Sequence, residues 1–241
     1  MFQFDKRMVY LILGIVVVMG LVGFTQARLM ILILTLPGLL IAITFHEFAH
    51  AFVADKLGDD TPSRQGRLNL NPLTHMDPVG TVLLLFAGFG WGKPVEINPR
   101  KFDRKFSMET GQALVSIAGP LMNFLLAIIL TIVYYGLNKF NSIIFLSQTG
   151  IIIETIISTA IMINIGLGVF NLLPLPPLDG SKIFIAFMPY KAKEFLYRYE
   201  QIFYVVFILL WISGAAAYII TPINTTITEG LFFVVGKLFG V

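Results

Sequence analysis

The sequence predicts an all-α integral membrane protein: a polytopic bundle of five to six transmembrane helices with a membrane-associated Gly-rich hairpin or re-entrant loop. Three observations carry this. Of 241 residues, 56% are apolar, and the mean hydropathy is +0.83. Only 13% are charged, where an ordinary soluble domain has about 25%. The apolar residues also fall in long uncharged blocks, and about 20 such residues cross the roughly 30 Å of hydrocarbon in a bilayer. Soluble globular and disordered classes are thereby excluded. The net charge of +3 is dispersed and forms no helical stripe, which excludes a nucleic-acid footprint. Cysteine is absent, so there is no disulfide framework, thiolate site or cysteine nucleophile, and any metal must be held by nitrogen and oxygen.

In chain order, residues 8–24 follow Lys6 and Arg7 and could imitate a signal peptide. The apolar run exceeds the usual ~7–15 residues and another span follows at once, so it is expected to be a retained anchor. The second span, 29–53, is interrupted by His46, Glu47 and His50. The connection 54–110 is polar at first, with turn formers such as Asn71-Pro72 and Asp77-Pro78. It then turns apolar over 79–91, too short and too rich in glycine (Gly80, Gly88, Gly90, then Gly92) to span. Alternating glycines beside Phe86, Phe89 and Trp91 suggest a hairpin or re-entrant loop, which could offer a strand edge to an extended substrate. Further spans are expected at 111–137, 151–173 and 202–220, the fourth interrupted by Glu154. The tail 231–241 is an interfacial helix, or completes a sixth span if Pro222 starts one. No internal repeat is visible, and residues 1–241 read as a single domain.

Orientation follows from the basic residues in the connections. With a cytoplasmic N-terminus, fourteen Lys and Arg lie inside and three, Arg28, Lys139 and Lys237, lie outside. The expectation is a multi-pass protein of the cell membrane with its site toward the cytoplasmic side.

The chemistry sits in the second span. A charged side chain at such depth costs about 2.5–3.5 kcal/mol on insertion scales, so an accidental H-E-x-x-H is far less common here than in a soluble helix. His46 and His50 are four apart, on one helix face, where two imidazole nitrogens can meet one zinc ion. Glu47 can reach a water at that ion without being a ligand, the arrangement in which a zinc peptidase uses glutamate as general base. A catalytic zinc takes a third protein ligand. The candidates are His75, Asp77, Glu154, Asp179 and Glu229. The second and fourth spans run in the same direction, which brings Asp179, just past the inner end of the fourth, to the depth of the histidines. Glu154 and Glu229 fall toward the outer side, and His75 and Asp77 lie in the polar loop.

These residues also match a family pattern. Asn171-Leu-Leu-Pro174-Leu-Pro-Pro-Leu178-Asp179-Gly180 resembles the N-x-x-P-x-x-x-L-D-G motif of site-2 proteases, the intramembrane zinc metalloproteases. His46 to His50 is similar to their H-E-x-x-H helix, and Ala118-Gly119-Pro120-Leu-Met-Asn123 to their G-P-x-x-N element. The stretches Gly66 to Thr81 and Gly90 to Pro94 resemble the compact bacterial branch without a PDZ domain. The resemblance covers about residues 38–185 and implies zinc held by His46, His50 and Asp179, Glu47 as the base, and a transmembrane-helix protein as substrate. Asn123 and Asn171 could supply an oxyanion donor or hold the substrate backbone, or could bond helix to helix. His75 reads as a capping or surface residue, with substrate gating as the sharper alternative. Prolines 174, 176 and 177 are expected to break the fourth span, with Gly180 permitting a turn after Asp179. Two other readings remain: a catalytically silent membrane-helix binding protein, which has no need of Glu47, and a metal transporter, which would string ionisable residues through several depths.

Overall fold

The computed structural model describes Gly14 and residues 25–87, 91–140 and 145–240. The anchor expected over 8–24 lies outside these apart from Gly14, as do Gly88 and Gly90 of the glycine-rich stretch. The described residues fold as helices α1 Gln26–Lys56, α2 Thr61–Arg64, α3 Pro72–His75, α4 Pro78–Ala87, α5 Met108–Phe140, α6 Gln148–Asn171, α7 Asp179–Phe187, α8 Tyr190–Arg198, α9 Glu200–Ile212 and α10 Ala215–Phe239. Four of them, α1, α5, α6 and α10, are long and apolar enough to cross a membrane.

The first two contain the spans expected at 29–53 and 111–137, and α6 covers the one expected at 151–173 as far as Asn171. Local signals start α1 and α6: the side chains of Thr25 and Ser147 accept the N–H groups of Arg28 and Gly150 in the first turn. Helices α1, α5 and α6 pack against one another, α7 packs on α5, and α10 covers α5 and α6. The buried face of α1 is built from Gly38, Ala42, Thr44, Ala49, Ala51 and Ala54 beside its two histidines. Small residues let helix backbones approach closely where lipid removes any hydrophobic drive for association. Ile161, Ile165 and Val169 of α6 pack with Ala127 of α5 in the centre. The outer surface stays apolar, with Leu29, Met30, Ile31 and Ile33 all exposed, as a lipid-facing side requires.

Two expectations need correction. The span expected at 202–220 is not one helix. Gly214, with φ 73°, sits in the left-handed region between α9 and α10 and breaks it. Helix α9 has 13 residues and is about 20 Å long, short of a crossing, while α10 is long enough to cross and holds Pro222 inside it rather than at its start. The glycine-rich segment does double back, since Met76 and Gly92 form an antiparallel bridge, but it is helical as far as Ala87 and no strand occurs among the described residues. Pro78 occupies the first helical position and Asp77 Oδ1 accepts the Gly80 N–H at 2.8 Å, a helix start that outweighs the period-two glycine pattern.

Candidate metal centre

The His46 and His50 rings meet edge to face, centroids 4.6 Å apart, on the face of α1 turned toward α5. Asp179 joins them as the first residue of α7, after α6 ends at Asn171 and a proline-rich turn reverses the chain. His46 Nε2 lies 3.0 Å from His50 Nε2, and Asp179 Oδ2 lies 3.1 Å from each. The imidazoles are 5% and 7% exposed. The other carboxylate oxygen, Asp179 Oδ1, faces the Lys182 ammonium at 3.8 Å.

Outer partners settle the protons on both rings. His50 Nδ1 is 2.7 Å from the Val115 carbonyl, which can only accept, so Nδ1 carries the hydrogen. His46 Nδ1 is 2.6 Å from Asn123 Oδ1. The Asn123 amide nitrogen donates to Ala42 O at 3.1 Å and Asn164 Oδ1 at 3.0 Å, so its oxygen must face His46 and accept. In the neutral rings both Nε2 atoms are then lone pairs facing a carboxylate oxygen. Three acceptors this close repel one another unless a cation lies among them. Their spacing approaches the roughly 3.3 Å edge of a tetrahedron with 2.0–2.1 Å bonds, and two imidazoles with one carboxylate are a donor set of catalytic zinc that leaves a position open. The residues fit the metal.

Two glycines of the motifs make this approach possible. A Cβ at Gly119 would lie 2.5 Å from His50 Nε2 and 2.6 Å from His46 Cε1, so α5 makes room for the rings only with glycine there. A Cβ at Gly180 would lie 2.3 Å from Leu173 O, so this glycine serves close packing of α7 on the preceding turn rather than a turn after Asp179.

Glu47 is half-buried, and its Oε2 accepts the Val95 N–H at 2.9 Å. Val95 belongs to an extended segment that returns from the glycine-rich stretch and is tied to the preceding loop. The Lys93 N–H donates to His75 O at 2.8 Å, and the buried Arg67 guanidinium donates to the carbonyls of Thr74 and Lys93. His75 is fully buried inside this fold, with Nε2 donating to Asn69 O at 2.8 Å, so it is not a surface residue. Burial lowers its proton affinity below the ordinary value.

Asn123, for which several roles were open, bonds helix to helix and is 0% exposed. Asn171 turns back on its own helix, donating to Leu167 O at 3.0 Å, and is not brought among the three ligand atoms. Sequence reasoning missed Asn164, Arg67 and the Val115 carbonyl. A single polar residue in an apolar span was a signal for Asn164, while a backbone carbonyl carries none.

A helical membrane bundle in which an H-E-x-x-H helix meets an aspartate from a second helix defines a class, the membrane-embedded metalloproteases. The model of peptidase family M50 matches residues 34–213, and the chain belongs to that family. Among curated proteins, a Bacillus subtilis (strain 168) protein named "Putative zinc metalloprotease YwhC" is 40% identical over 189 residues, 76% of this chain and 82% of that protein. Rip2 of Mycolicibacterium smegmatis, named in the same way, is 31% identical over 153 residues, 62% of this chain and 55% of its own length. MJ0611 of Methanocaldococcus jannaschii is 26% identical over 183 residues, 76% of this chain and 85% of its own. No solved structure matches.

Proposed function

We propose that this chain is an intramembrane zinc endopeptidase that hydrolyses peptide bonds in transmembrane segments of other membrane proteins, in regulated intramembrane proteolysis, after another protease has shortened them. In this reading His46, His50 and Asp179 hold zinc, Glu47 is the general base, and residues 1–241 act as one domain. The observation that carries it is the convergence of three bare acceptor atoms, 3.0–3.1 Å apart, beside a carboxylate on the same helix.

Bound zinc supplies Lewis acidity, acidifying a water and polarising the scissile carbonyl. The protein supplies the proton path. Because Glu47 Oε2 is held by the Val95 N–H, Oε1 is the oxygen that takes the proton of the attacking water and passes it to the leaving nitrogen. Asn123 and His75 are fully buried, so neither contacts substrate, and their parts are to orient His46 and to hold the loop. Asn171 is half-buried and remains the amide available to a substrate backbone. A small apolar pocket of about 20 Å³ lies between α1, α4 and Trp91, lined by Leu36, Leu40, Ile43, Met76 and Thr81.

The charge count supports a cytoplasmic N-terminus and a site toward that side. Lys139 Nζ donates to Phe239 O at 2.7 Å at the end expected outside, and Lys193 pairs with Glu109 at the end expected inside.

The test is Glu47→Gln in the full-length protein. Zinc content should match wild type while cleavage of a single-span membrane substrate in proteoliposomes is lost, and substrate-derived fragments should vanish from membranes of cells carrying the variant. Fragment profiles identical to wild type would leave a silent helix-binding protein as the better reading.

A further inference from the structure

Asn164 lies in the middle of α6, 0% exposed, and takes no part in the chemistry above. A buried amide in a membrane helix is tolerated when its groups are satisfied, and here they are satisfied in one direction only. Asn164 Nδ2 donates to Ala160 O at 2.9 Å, one turn back on α6. A carbonyl cannot donate, so this bond fixes which end of the Asn164 amide is which. Its Oδ1 must therefore face away from Ala160 and accept Asn123 Nδ2 at 3.0 Å. The remaining Asn123 N–H is taken by Ala42 O, leaving Asn123 Oδ1 against His46 Nδ1 at 2.6 Å.

We infer that Asn164 is a positioning residue for the metal centre: it sets the direction of a hydrogen-bond chain, Ala160 to Asn164 to Asn123 to His46, that keeps the Nε2 lone pair of His46 free for the metal. The opposite tautomer of His46 would need the Asn123 amide to flip, which would aim its oxygen at both Ala42 O and Asn164 Oδ1. The three helices α1, α5 and α6 are linked by these same bonds, so the tautomer of one ligand is tied to the packing of the bundle. His50 is independent of the chain because Val115 O holds its Nδ1. His75 has the reverse arrangement, with Nε2 on Asn69 O and Nδ1 without a partner.

The sequence contains three histidines, so isotope-labelled histidine gives a spectrum simple enough to read by nitrogen NMR, each ring assigned by its own His→Gln variant. The inference rests on the zinc reading, but the tautomers are read on full-length protein in detergent both loaded with zinc and stripped of it. In stripped wild type, at a pH where the rings are neutral, His46 and His50 should carry their one hydrogen on Nδ1, and His75 on Nε2. In Asn164→Leu, His46 alone should populate the Nε2–H form, and zinc affinity, measured against a competing chelator, should fall about tenfold, the lower end of what loss of an outer partner costs. Asn164→Asp, protonated in this apolar setting, keeps both a donor for Ala160 O and an acceptor for Asn123, and should restore most of the affinity with His46 in the Nδ1–H form.

An Nε2–H form of His46 in stripped wild type would overturn the inference. So would an Asn164→Leu protein that binds zinc as wild type does, or one that loses zinc with His46 and His50 disturbed alike. If Asn164→Leu does not fold, the wild-type tautomers and Asn164→Asp decide, and an Asp variant with His46 in the Nε2–H form overturns it. Expected tautomers in a protein that binds no zinc would leave the hydrogen-bond chain standing and sink the zinc reading instead.

Discussion

His46 and Glu47 are adjacent in sequence, yet the structure holds them by different means. His46, with His50 and Asp179, is fixed from inside the bundle, by Asn123 of α5, the Val115 carbonyl and the turn that follows α6. Glu47 is fixed from outside it, by the Val95 N–H of an extended segment that is itself stapled to a loop by Arg67 and His75. Ligands need an unchanging geometry, and packed helices with saturated polar groups provide it. In the proposed reading Glu47 is the base and must meet whatever substrate enters, and a support made of loop bonds rather than packed helices is the more easily opened of the two. Damage on the ligand side should therefore appear first in metal content, and damage on the base side in turnover with the metal retained.

The largest expected effect is on the ligand side. Asp179→Ala leaves two imidazoles and removes the only negative charge among the three donors. Zinc affinity should fall by more than the roughly 10–100-fold that loss of an outer partner costs, with peptidase activity at background, both measured on the purified protein by metal analysis and cleavage. Retention of stoichiometric zinc would move the third ligand elsewhere and dissolve the contrast.

Gly119→Ala tests the same side sterically. The added methyl would lie 2.5 Å from His50 Nε2, closer than real Cβ contacts come, so a ring or α5 must shift. Zinc affinity should drop roughly 10–100-fold, while hydrogen exchange over residues 66–76 stays at the wild-type rate.

Arg67→Ala is the matching test of the base side. It removes the donor to Thr74 O and Lys93 O, bonds from a charged group worth about 1.5–3 kcal/mol each at buried positions. Cleavage should fall about tenfold and exchange over 66–76 and 91–98 should rise, with zinc content unchanged. A parallel loss of zinc would show that the two sides are one unit.

The contrast also explains what the sequence could disclose. Three ionisable residues in an apolar helix stand out because of their cost, and helix direction alone brought Asp179 to their depth. The three inner spans were legible from length and apolarity. The supports were not. Asn164 is visible as one polar residue in α6, but nothing in the pattern names its partner 41 residues earlier. Val115 acts through its backbone. The break at Gly214 was hidden because glycine is common in membrane helices and only its backbone conformation ends one. The loop chemistry around Arg67 depends on bonds to carbonyls, which no residue spacing encodes.

The smallest expected effect separates the two sides by pH. Burial holds His75 below its ordinary value of 6.5, and the Arg67 charge acts in the same direction, against the opposing pull of the Asn69 carbonyl and Glu47. The folded loop therefore keeps His75 neutral where an opened loop would already bind a proton. With the folded value depressed, the stabilisation is complete above the ordinary imidazole range and is lost as pH falls through it, opening the loop by at most about tenfold per pH unit for one proton. Hydrogen exchange over 66–76 in zinc-loaded protein, followed between about pH 7.5 and 5.5, should quicken on acidification. His75→Gln keeps an N–H for Asn69 O but does not titrate, so its exchange should depend less on pH by that single proton. Equal slopes in the two proteins would remove His75 as the source. A smaller slope in the variant, with zinc content the same in both, would show that acid loosens the support of Glu47 before it reaches the ligands one residue away.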